Sequence, residues 1–144
     1  MKSFKGRGQI ARNLLVLTGI AILLWSGLED RDARGVTALG FLSAASFTLY
    51  LLTAGRGHRW SARRRGLSFA MLSGALIGAM TALASALLML FKNLRHGHLF
   101  PDYPLDMLLA TLERLPYWAL AGALAGLGIG LLIRLRAAEN GGPH

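Results

Sequence analysis

The chain has 144 residues, 53% of them hydrophobic and only 16% charged, with a positive mean hydropathy and a formal net charge of +9. So little polar surface argues against a soluble globule, which would have to hide several long apolar stretches in one core. The absence of cysteine excludes a disulfide framework, a thiolate metal site and a thiol nucleophile.

Four uncharged, mostly apolar stretches follow one another: Asn13 to Leu28, Gly35 to Ala54, Gly66 to Phe91 and Leu115 to Ile133. The shortest fully apolar case is instructive. Leu115 to Ile133 holds nineteen residues, roughly 28 Å of helix, close to the hydrocarbon thickness of a bilayer. Runs such as Leu14–Leu15–Val16–Leu17 and Leu87–Leu88–Met89–Leu90 break the apolar–polar alternation that a transmembrane barrel needs. The expected fold is therefore all-α, a four-transmembrane-helix bundle in one integral membrane domain, with spans at about 10–28, 35–54, 66–91 and 115–135.

The first span follows a basic arm with Lys2, Lys5, Arg7 and Arg12, in the manner of a secretory signal, but Trp25 spoils a small-x-small processing site before Gly27, so cleavage is not expected. The third span, with twenty-six uncharged residues, amounts to about 39 Å of helix, which implies tilt or projection beyond the membrane. The connection Lys92 to Arg114 is too long to be only a turn. Within it Leu105, Leu108, Leu109 and Leu112 keep helical spacing, with Pro104 suited to a helix start and Pro116 to a break. A short amphipathic interfacial helix at about 104–115 is predicted; the alternative is an extension of the fourth span broken at Pro116.

Charge sets the orientation. The arm, the loop Gly55 to Arg65 and the tail carry eleven Lys or Arg, against five in the other two loops, and six of the seven acids lie on the poorer side. The positive-inside rule then predicts both termini in the cytoplasm of an inner or plasma membrane. Trp25, Tyr103, Tyr117, Trp118, Tyr50 and Trp60 all fall near span ends, where amphipathic rings settle.

Helices in lipid associate by close fit, which small residues permit. Ala70, Gly74, Gly78, Ala82 and Ala86 recur every four residues in the third span, and Gly122, Gly126 and Gly130 do so in the fourth. The simplest expectation joins these two stripes as an antiparallel pair; the alternative is a docking face for another subunit or copy.

No Asp, Glu, Lys, Arg or His lies within the four uncharged stretches, which removes the usual basis of ion coupling, proton relay and voltage sensing. The intramembrane polar groups are hydroxyls, and Ser43 and Ser46 are the candidate pore-lining residues of an oligomer. His96, His98, Asp102 and Asp106 have the right chemistry for zinc or copper but a weak spacing, so a solvated loop is the preferred reading. The arginines around Trp60 are read as an orienting, lipid-attracting loop instead of a nucleic-acid patch. No phosphate loop, catalytic serine motif or cofactor-binding pattern occurs, and neither an enzyme nor a cofactor is expected. The leading expectation is an accessory, assembly or structural membrane subunit whose partners are the bilayer and other subunits or copies of itself. A homo-oligomeric channel or transporter and an outer-surface metal-binding protein are the alternatives.

Overall fold

The computed structural model describes residues 2–28, 32–54, 66–96 and 101–139, of which 92% are helical, with no strand among them. Five helices follow in order: α1 (Lys2–Ser26), α2 (Ala33–Ala54), α3 (Leu67–His96), α4 (Leu105–Glu113) and α5 (Leu115–Glu139). Four are long and apolar enough to cross a membrane, over Gly8–Ser26, Ala33–Thr53, Leu67–His96 and Leu115–Glu139. The basic loop 55–65, with Trp60 and His58, and the segment 97–100 lie outside the described residues.

Local chemistry explains the helix ends. Asp32 caps α2, its carboxylate accepting the Arg34 N–H at 2.9 Å and the Gly35 N–H at 3.3 Å, so the helix starts two residues before the apolar run. The Gly66 carbonyl takes the Phe69 and Ala70 amides at the start of α3. At the other end α3 runs five residues past Phe91 and closes on Arg95 and His96, of which the arginine's charge suits a helix C-terminus. Its thirty residues make about 45 Å of helix. Between α4 and α5 a single residue intervenes. Pro116 has no N–H for the Leu112 carbonyl and its ring crowds that position, so the Arg114 N–H serves Leu112 and the helix restarts.

Helix α3 is the centre of the bundle. It packs most extensively on α5, then on α2, and carries α4 at its end, while α1 packs on α2. The contact with α5 is backbone on backbone. A Cβ built on Gly74 would lie 2.9 Å from the Gly122 carbonyl carbon, on Gly122 2.9 Å from that of Gly74, on Gly78 2.7 Å from that of Trp118, and on Gly126 2.9 Å from that of Ala70. Partner numbers fall along α5 as they rise along α3, so the two helices run antiparallel. Ala82 and Ala86, further along the stripe, are buried, and Gly130 meets Ala70 and Leu67. A second close approach, not singled out in the sequence, sets Gly40 of α2 against Thr81 and Ser85 of α3.

The hydroxyls inside the bundle spend their protons locally. Thr18, Thr81 and Ser85 donate to carbonyls four residues back, at 2.7–2.8 Å, as the i−4 geometry of a helix allows. The large apolar side chains of the interior gather at the end that carries α4, where Trp25, Val36, Met89, Tyr103 and Leu108 form one cluster.

Glycine at the α3–α5 seam is open to direct test. Gly74→Ala forces a methyl into an unyielding carbonyl and should lower stability by about 1–3 kcal/mol, whereas Gly128→Ala, with nothing within 4 Å, should be neutral. Titration of helicity with sodium dodecyl sulfate reads both; equal midpoints would refute the backbone contact.

Candidate functional site

The end of the bundle where α1 and α3 finish gathers most of the chain's described polar chemistry. α3 supplies Lys92, Asn93, Arg95 and His96 within its last turn and a half, α1 supplies Trp25 and Ser26, and the segment entering α4 supplies Asp102 and Tyr103. The buried face of α3, Gly78, Thr81, Ala82, Ser85, Ala86, Met89 and Lys92, steps by threes and fours, and this period carries Lys92 inward.

Lys92 has no exposed surface, and its ammonium lies 4.7 Å from the centroid of the Trp25 ring and 5.8 Å from that of Tyr103. The rings are 6.4 Å apart and tilted by 31°, so two π-faces attract one cation, an interaction that strengthens once water is excluded. The expectation that Lys92 sits in a loop is thus corrected: it is a helical residue with a buried side chain. The Trp25 ring rests near Gly35, and its indole N–H has no acceptor among the described residues.

Asn93 fastens the incoming chain from the neighbouring position. Its Nδ2 donates to the Tyr103 carbonyl at 2.6 Å and its Oδ1 accepts the Tyr103 N–H at 2.9 Å, a two-point clamp on a backbone that no helix or sheet satisfies. One turn on, His96 Nδ1 meets Asp102 Oδ2 at 2.6 Å and His96 Nε2 meets the Ser26 carbonyl at 3.0 Å. A carboxylate and a carbonyl are both acceptors, a set that the doubly protonated ring matches with two N–H bonds. Arg95 donates to Ser26 Oγ, whose own proton goes to the Leu23 carbonyl at 2.8 Å.

Serine, histidine and aspartate are therefore neighbours here without forming a nucleophilic triad. The imidazole faces the serine's carbonyl, not its hydroxyl, and the hydroxyl proton is committed elsewhere. What the cluster does is bind α1, α3 and the approach to α4 into one unit.

Of the four metal-ligand candidates, His96 and Asp102 come together, Asp106 lies exposed on α4, and His98 is outside the described residues. Both ring nitrogens of His96 point at oxygens instead of open space, and the described residues contain no group of three or more candidate ligands. The pore candidates separate: Ser43 donates to the Leu39 carbonyl at 2.7 Å, while Ser46 is buried against α1, 3.1 Å from the Thr18 hydroxyl. The leucine row of α4 also divides, since Leu108 is buried on α3 with Met107 beside it, and Leu105, Leu109 and Leu112 face outward.

Two cavities flank α3. A small one of about 170 Å³ lies under α4 and is bordered by Thr37, Ser85, Thr111 and Met89, with each of those hydroxyls already donating to its own helix. A larger groove of about 720 Å³ runs along α3 between α2 and α5.

Replacing Asn93 by Leu should remove both of its hydrogen bonds to the Tyr103 backbone, at about 1–3 kcal/mol for each. The Tyr103 amide should then exchange with solvent deuterium at least tenfold faster, as about 1.4 kcal/mol of lost protection requires. Unchanged protection would mean that something else holds this segment.

No protein-family model, curated protein or solved structure matches this chain.

Proposed function

We propose that this chain is a non-enzymatic accessory, assembly or structural subunit of a membrane complex, acting through helix contacts in the bilayer. The observation that carries the reading is how the reactive side chains are spent. Lys92, Asn93, Arg95, His96 and Asp102 all engage neighbouring helices or the approach to α4, so the polar cluster braces the bundle and presents no aligned nucleophile. Meanwhile only 11% of the apolar window of α5 and 17% of that of α1 is buried within the chain. Leu124, Leu131 and Leu135 on α5, and Val16, Leu17 and Leu24 on α1, form bare flanks on which other helices or lipid would lie. A subunit that joins others by close fit needs such flanks and needs no chemistry of its own.

Blue-native electrophoresis of the full chain from its native membranes tests this. The expected result is migration in a discrete complex larger than the monomer. A monomer band alone would remove the proposal.

The membrane placement belongs to the same reading. Both termini face the cytoplasm of an inner or plasma membrane, and α4 lies flat at the outer interface with Leu105, Leu109 and Leu112 dipping into lipid. The lopsided arginine count and the outward turn of those three leucines support it. Because the chain has no cysteine, single replacements report cleanly. Ser3→Cys and Asn140→Cys should resist an impermeant maleimide in intact cells, and Asp106→Cys should react; any other pattern overturns the orientation.

A further inference from the structure

We infer that the long groove beside α3 is a seat for one acyl tail of an anionic phospholipid, whose phosphate lies on Arg134. The groove is bounded by α2 through Phe41 and Leu52, by α3, and by the small face of α5, with Trp118 towards one end and Gly66 and Arg134 at the other. Trp118 and Arg134 are sixteen residues apart on one helix, about 24 Å, which exceeds half of a ~30 Å hydrocarbon core and so accommodates a tail from a single leaflet.

A space of about 720 Å³ drawn out over about 24 Å follows the line of an acyl chain. The walls suit a flexible apolar chain as well, because Ala70, Ala121 and Ala125 offer surface without bulk.

Charge specifies the head. Among the described residues that line the groove, Arg134 is the only charged one and none is acidic. Its Nη2 lies over Gly66, 3.9 Å from where a Cβ would stand, at the positive end of the α3 dipole. In the sequence three arginines, Arg63, Arg64 and Arg65, lead directly into Gly66. The planar guanidinium fork pairs with phosphate oxygens in two parallel bonds, so a phosphate here gains geometry as well as charge. An uncharged or zwitterionic headgroup matches this end less well than one with net negative charge.

Native mass spectrometry of the full chain, released from nanodiscs holding equal amounts of phosphatidylglycerol and phosphatidylcholine, tests the seat. The wild-type chain should retain one phosphatidylglycerol in preference by about fivefold, the ratio set by ~1 kcal/mol for one basic side chain at a lipid surface. Arg134→Gln should abolish the preference, and Arg136→Gln, at the same end but outside the groove lining, should keep it. Ala125→Phe, which fills an exposed part of the groove, should remove the retained lipid of either kind, with helicity by circular dichroism confirming the fold. Glycerol phosphate at millimolar concentration should not displace the lipid, since the tail supplies much of the hold. No preference in the wild type, or a preference untouched by both Arg134→Gln and Ala125→Phe, overturns the proposal. So does a change of oligomeric state on Ala125→Phe with lipid retention intact, which would assign the groove to a protein neighbour. The readout uses the isolated chain, so it stands or falls separately from the existence of a larger complex.

Discussion

The bundle is arranged around a seam in which four glycines set backbone directly on backbone. Along α3 and α5 the carbonyls of Ala70, Gly74, Trp118 and Gly122 stand where the Cβ atoms of facing residues would otherwise be. In lipid, where burying an apolar side chain gains nothing over leaving it among acyl tails, such proximity is the main source of cohesion between helices. Dispersion falls steeply with separation, so the seam holds only while both backbones stay bare. The glycines give up helix propensity for this, an expense that a membrane helix bears easily because its unfolded alternatives expose peptide groups to hydrocarbon.

At the α4 end the physics is different. There the bundle is closed by a cation over two neighbouring rings, an amide clamp and an imidazole–carboxylate contact. Directional bonds are suited to that task, because they fix α1 and the approach to α4 at definite angles where glycine contact would allow sliding. The two devices divide the work: the seam sets how near α3 and α5 lie, and the polar cap sets where α1 and the approach to α4 meet α3.

Much of this was legible in the chain. Four spans followed from the lengths of apolar runs, and the four-residue period of Ala70, Gly74, Gly78, Ala82 and Ala86 marked one face of α3. The polar cap was harder to read for a definite reason. Hydropathy treats Lys92 as the end of a span, since a lone ammonium is costly in an apolar setting, and it carries no information about which rings lie nearby. The same period that marks Thr81, Ser85 and Met89 continues through Lys92, so the burial was encoded, while its partners Trp25 and Tyr103 come from positions 67 and 11 residues away in sequence. Asn93 offers no pattern at all, because its role depends on a loop backbone. The leucines of α4 show the converse: a correct period with most of its members facing away from the protein.

The pairing order has a consequence for how the molecule is made. As the chain leaves the ribosome, α1 can lie on α2 and α2 on α3 in turn, each helix meeting the one just before it. The glycine face of α3 must wait for α5, which arrives only after α4 has been produced. Until then the seam lacks its other half, and a strip of backbone that the finished bundle covers stays bare.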